Sequence, residues 1–394
     1  MTPVSVETRR SRWVVLGAIV AVGIVVAGSI SLLDQLSLRE VPEVEALTVE
    51  RSVLEAGRVE LRVRNDGPDE VRLAQVLVND AYWSFTASDS DVGRLEATTI
   101  AIPYPWEEGL PLNIGLVTST GVVIEHEIEA AVATPPADAS TFLVYGLLGV
   151  YIGVLPVTLG LFAFPLIRRL SAAWLGFFLA LTLGLLAFLL VDTIAHGFEL
   201  AAAAPAALDG LALFAIGLLV AVLALMWLEG ALGRRKGAIA SANARSGLSL
   251  SYLIAVGIGL HNLGEGLAVG AALAVGEVAL GTFLIIGFAL HNTTEGLAIV
   301  APLGTDPRRP SLKHFVALGL IAGAPTIAGA WIGGFAFSAA WSALAFGVAA
   351  GAIAQVIWTV GNSMRGEASI TRGLPALGFV AGLVIMYATG LLTV

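Results

Sequence analysis

The sequence predicts an all-α polytopic membrane body of eight helices, preceded by a small all-β, Ig-like domain behind an N-terminal transmembrane helix. Three observations carry that expectation. The 394 residues are 57% hydrophobic and 13% charged, with a mean hydropathy of +0.87, a composition typical of polytopic membrane proteins. Apolar runs of bilayer length recur along the chain. Charge is also unevenly placed: residues 33–140 hold 20 acidic and 7 basic side chains, whereas the rest holds 10 and 14. That split marks an acidic, water-soluble segment joined to an apolar body.

Residues 1–12 form a basic tail containing Arg9, Arg10 and Arg12. The apolar run at 13–33 follows, long enough to span a bilayer and longer than the core of a cleaved signal peptide. It is expected to be an anchor. Residues 38–134 contain no membrane-length run and are expected to form an extracytoplasmic β-sandwich. Val59–Arg64 alternates with period two and ends at the turn-forming Asn65-Asp-Gly-Pro68. Val71–Val78, Thr98–Ile102, Leu112–Val117 and Val122–Ile128 are further strand candidates, and short strands at such spacing suggest an Ig-like fold. His126, among carboxylates, is expected to be a solvated strand residue. Residues 134–140, rich in proline and small residues, lead back to the membrane.

The body, 141–394, contains eight apolar runs at about 141–167, 172–198, 207–230, 248–275, 277–302, 314–337, 340–362 and 374–393. Placing the N-terminus in the cytoplasm puts all 14 basic residues outside the β segment on the cytoplasmic side. The β domain and the C-terminus are then extracytoplasmic, in a plasma membrane. The pairs Gly329/Gly333 and Gly347/Gly351 predict close helix contacts. With no cysteine, disulfides, thiolate ligands and thiol catalysis are excluded. Any metal must be held by His, Asn, Asp, Glu or Gln, a set suited to zinc, iron(II) or manganese. The acidic balance argues against nucleic acid as a partner.

The chemistry is concentrated in a repeated motif. His261-Asn-Leu-Gly-Glu265-Gly-Leu-Ala-Val-Gly270 returns as His291-Asn-Thr-Thr-Glu295-Gly-Leu-Ala-Ile-Val300. A histidine and a carboxylate four apart share one helix face. Ionisable groups inside apolar spans face a cavity, a pathway or each other. Chance core histidines explain neither the repetition nor the two asparagines. The expectation is a divalent-metal site shared by the fourth and fifth helices of the body, with His261, Asn262, Glu265, His291, Asn292 and Glu295 as its donors. The metal's charge offsets the cost of buried carboxylates, which makes exchange of metal for protons a natural corollary. A second stripe, Asp192, His196 and Glu199, lies on one face of the second helix and is expected to collect cations at the external end. Thr326 and Gln355 are further candidate polar linings.

At His-Asn-x-x-Glu-Gly, present at 261–266 and 291–296, the chain resembles the ZIP (Zrt/Irt-like) family of divalent metal transporters, in particular its prokaryotic branch. The resemblance covers about 141–394. It implies a mostly dimeric eight-helix fold that carries zinc or a similar ion toward the cytoplasm. It also implies that His261, Glu265, His291 and Glu295 are primary ligands, with Asn262 and Asn292 helping to form an adjacent second site. The sequence departs from the family pattern where proline usually precedes each motif glutamate, here Gly264 and Thr294, and where a sixth-helix glutamate is common, here Thr326. The β domain and its anchor are not part of the usual family body, and their ligand or partner is left open.

The function expected is therefore import of divalent metal, zinc first, by a homodimer in the lipid bilayer. No enzymatic activity and no cofactor beyond the transported ion are expected. One alternative is a non-transporting receptor or metal sensor that uses the external domain. A weaker one is an intramembrane metalloenzyme, since both glutamates occupy ligand positions and no separate general base is evident.

Overall fold

The computed structural model describes residues 44–235, 247–274, 278–305, 309–364 and 373–391. The expected basic tail (1–12) and anchor (13–33) lie outside the described residues.

The β region comprises β1 (Leu47–Glu55), β2 (Arg58–Asn65), β3 (Val71–Val78), β4 (Ala81–Trp83), β5 (Thr86–Ala87), β6 (Asp91–Val92), β7 (Ala97–Ile102), β8 (Leu112–Thr118) and β9 (Val123–Ile128). One sheet has the order β1-β2-β7-β5 and the other β4-β3-β8-β9, with β6 pairing to β3. Period-two alternation sends Val59, Leu61 and Val63 of β2 into a common apolar core with Val76 and Val78 of β3 and Ile114 and Leu116 of β8. All five strand candidates are strands. β1 escapes the alternation rule because its register shifts between Val49 and Arg51, a bulge that interrupts period two. Asn65 closes β2 as a buried turn residue: its amide donates to Asp69 O and Val92 O, each at 2.7 Å. Its Oδ1 accepts from Gly67 N at 2.8 Å.

The remainder is helical. α1 (Ala139–Gly149) passes through a π segment (Val150–Val154) into α2 (Leu155–Leu161), and a short α3 (Phe164–Ile167) follows. α4 (Ala172–Ala202) connects through a 3-10 turn (Ala206–Leu208) to α5 (Gly210–Arg235). Next come α6 (Gly247–Ala274), α7 (Val278–Val300), α8 (Leu312–Gly323), α9 (Pro325–Ala336), α10 (Ala339–Ser363) and α11 (Gly373–Gly390). Among the described residues, seven stretches are long and apolar enough to cross a membrane: Ala139–Ile167, Ala172–Ala202, Ala206–Trp227, Gly247–Ala274, Leu280–Gly304, Leu312–Ala336 and Ala339–Asn362. The apolar stretch Gly373–Ala388 is shorter. Together they fall on the eight apolar runs of the sequence. The sixth is broken at Ala324, because Pro325 has no N–H with which to continue the helix.

α6 and α7 pack against each other at the centre. α9 lies along α6 and α2 along α7, while α10 packs on α5 and α11 on α4. Exchanging the first three spans for the last three, and α6 for α7, returns the same pairings. Such an inverted arrangement is common among transporters built on internal repeats. Glycines set the closest approaches. A Cβ at Gly329 or Gly333 would collide with the Leu263 or Leu267 carbonyl of α6, and one at Gly347 or Gly351 with the Phe214 or Leu218 carbonyl of α5. Both glycine pairs noted in the sequence are thus helix contacts. The motif glycines behave alike, Gly266 meeting Thr326 O on α9 and Gly296 meeting Val157 O on α2. The β region and the helices belong to one compact unit, Glu45–Val394.

Gly266→Ala and Gly296→Ala are expected to force these backbones apart and destabilise the detergent-solubilised protein by about 1–3 kcal/mol each. Gly361→Ala, where nothing lies within 4 Å of the added carbon, is expected to leave the thermal midpoint unchanged. Thermal unfolding of the three variants side by side checks this.

Candidate metal centre

On α6 and on α7, spacing of four brings a histidine and a glutamate onto one face, and the two faces are turned toward each other. His261, Asn262, Glu265, His291, Asn292 and Glu295 are all buried. One potential ligand atom each from His261, Glu265, His291 and Glu295 can be chosen so that all four lie within 4.8 Å of one another. The imidazoles converge, with ring centroids 6.4 Å apart. His261 Nε2 is 3.3 Å from Glu265 Oε1, and His291 Nε2 makes a close contact with that same oxygen from the neighbouring helix. The four side chains form a cluster able to hold a metal ion.

The hydrogen bonds around the cluster leave lone pairs unused. His261 Nε2, Asn262 Oδ1, Asn292 Oδ1 and both carboxylate oxygens of Glu295 are buried without a hydrogen-bond partner. Buried polar atoms are rarely left so, and each such case calls for an explanation. Here all five can donate a lone pair to a cation. The asparagine amides are fixed from behind: Asn262 Nδ2 donates to Ala322 O at 3.0 Å, beside the break in the sixth span. Asn292 Nδ2 donates to Ile152 O at 3.0 Å in the π segment and to Glu265 Oε2 at 2.7 Å. π segments inside α-helices frequently mark functional sites.

The positions that depart from the family pattern have local roles. Thr294 Oγ1 donates to its own helix at His291 O, 2.7 Å away. At Gly264 the space a side chain would fill is taken by the Phe346 ring from α10. Thr326 is buried, its hydroxyl without a hydrogen-bond partner, and it packs where Gly153 leaves room.

A cavity of about 940 Å³ opens above the centre, with His261, Glu265 and His291 in its lining. Asp192, His196 and Glu199 of α4 border the same cavity. Asp192 and His196 are half-exposed, and His196 Nδ1 lies 3.1 Å from Asp192 O and 3.7 Å from Asp192 Oδ1. Phe288 and Phe346 supply aromatic wall to the same cavity. The described lining of this cavity does not include Thr326 or Gln355, which are buried elsewhere in the bundle.

Two participants were not evident in the sequence. Thr193 Oγ1 on α4 lies 3.0 Å from His261 Nδ1, both residues buried. With Nδ1–H donating to the hydroxyl, Nε2 carries the lone pair that faces the cluster. Nothing in the chain signals this, because 68 positions separate the partners. His126 is the other. Expected to be a solvated strand residue, it is partly buried, lies 2.9 Å from Ser52 Oγ and borders the cavity.

Compared with models of known protein families the chain matches none, and no curated protein matches it. The functional assignment therefore rests on its own residues and their geometry.

Histidine ligands held by an outer partner lose about 10–100-fold in metal affinity when that partner is removed. Thr193→Val is expected to weaken zinc binding by that order, and Thr193→Ser to retain it. Competition with a chromophoric chelator on the solubilised protein measures both.

Proposed function

We propose that the protein carries a divalent transition-metal ion, zinc foremost and iron(II) or manganese next, across a membrane toward the cytoplasm. The observation that carries this reading is the convergence of His261, Glu265, His291 and Glu295 from two neighbouring helices, within 4.8 Å and among unpartnered buried donor atoms. Nitrogen and oxygen donors of this kind suit zinc and its first-row neighbours. A dication seated between His291 Nε2 and Glu265 Oε1 would take both as ligands, with His261 Nε2 and a Glu295 oxygen completing the set. The amide oxygens of Asn262 and Asn292 are the added donors of an adjacent second site.

In the same reading the chain is a ZIP-like transporter, and a homodimer, in a plasma membrane with a cytoplasmic N-terminus and an extracytoplasmic β region. The inverted pairing of helices supports a rocking movement of the outer spans about α6 and α7, which would expose the centre to each side in turn. The two strand orders support an Ig-like domain, since they correspond to A-B-E-D and C′-C-F-G of such sandwiches. Both motif carboxylates lie within the ligand cluster, which favours binding and release over catalysis.

Uptake of radioactive zinc into proteoliposomes tests the reading. Glu265→Ala and His291→Ala are each expected to cut the initial rate at least about tenfold, since each removes a direct ligand. Undiminished uptake by both variants would overturn it.

A further inference from the structure

We propose that the β region roofs the cation path, so that an ion reaches the metal centre by passing beneath the β1–β9 edge, beside His126. The inference deepens the transport reading and rests on it for the identity of the ion. It stands on two observations, a pair of docking contacts and one shared cavity.

The docking contacts join opposite charges to matching backbone groups. Arg51, on the bulged stretch of β1, donates from its guanidinium to Phe335 O and lies 3.5 Å from Gly334 O. These are among the last carbonyls of α9, where the helix dipole favours a cation. Asp66, in the turn after β2, takes the opposite role. Its carboxylate accepts from Ala206 N at 2.8 Å and from Ala207 N at 3.4 Å, in the turn joining α4 to α5. Charge-assisted bonds of this type are among the stronger ones available at a surface. They hold the β region to the helical body at two places, the C-terminal end of α9 and the turn after α4.

The cavity runs between the two parts. Ser52 of β1 and His126 and Glu127 of β9 border it, as do Asp192 and His196 of α4, and it continues down to the centre. Glu50 borders it too, but its carboxylate is engaged by Arg62 and Arg64 at 3.2 and 2.6 Å. His126, its Nε2 2.9 Å from Ser52 Oγ, thus borders the passage from the β side, and His196 borders it from the helical side. Burial lowers the pKa of His126, which keeps the ring neutral near pH 7 and able to meet a cation rather than repel it. An apolar sheet edge alone would close the mouth without offering an ion anything; this edge offers a neutral nitrogen base and a carboxylate.

The absence of cysteine allows a direct test on the full chain, with one reporter cysteine at Leu284, in the cavity wall. The rate at which a water-soluble cationic thiosulfonate modifies it reads access to the cavity without any metal. Arg51→Ala combined with Asp66→Ala is expected to loosen the roof and speed modification by about tenfold or more, two charge-assisted bonds being lost. His126→Trp, which fills the passage and leaves both docking contacts in place, is expected to slow modification by about the same factor. Unchanged rates in both variants would sink the proposal. Zinc binding measured on the same preparations separates the two readings. Rates that shift as expected in a protein that binds no zinc would uphold the roof and refute the metal centre.

Discussion

Two carboxylates and two imidazoles are held away from water inside an apolar bundle, and the rest of the helical body is arranged around that fact. A lone ion in such surroundings loses far more hydration energy than a hydrogen bond returns. The neighbouring asparagines satisfy the cluster only in part. Asn262 spends its N–H on the Ala322 carbonyl, and Asn292 divides its own between Ile152 O and Glu265 Oε2. What faces inward is a surplus of lone pairs on His261, Asn262, Asn292 and Glu295. A cluster of donors left in this way is able to hold a cation.

Close backbone contact seats each motif helix against its flanking span. The glycine after each motif glutamate does this work, Gly266 against α9 and Gly296 against α2. The same residues that give the motif its recognisable form thus also set the distance between the central helices and their flanking spans. Candidate donors and packing contacts are thus coupled in a six-residue stretch.

Much of this was legible in the sequence for a physical reason. Apolar runs, period-two strands and a His-Glu spacing of four are local patterns, and local patterns survive in a linear reading. The eight spans, five strands and the six motif residues all belong to that class. β1 was missed because its bulge at Val49/Arg51 breaks the alternation. Thr193 was missed because its value lies wholly in a partner on another helix. His126 looked like a solvated strand residue because sequence shows its acidic neighbours, not the helical body that half-covers it. The π segment and the carbonyl it offers to Asn292 have no sequence signature at all.

That π segment sets the two halves of the body apart. Asn292 is clamped to Ile152 within a widened turn, in which i→i+5 hydrogen bonds replace those of an ordinary helix. Asn262 is clamped to Ala322 beside Pro325, a break written into covalent structure. One anchor behind the cluster is therefore shaped by hydrogen bonding alone and the other by a proline ring. The two sides of the cluster are thus backed unequally, the first span by an irregular turn and the sixth by a proline break.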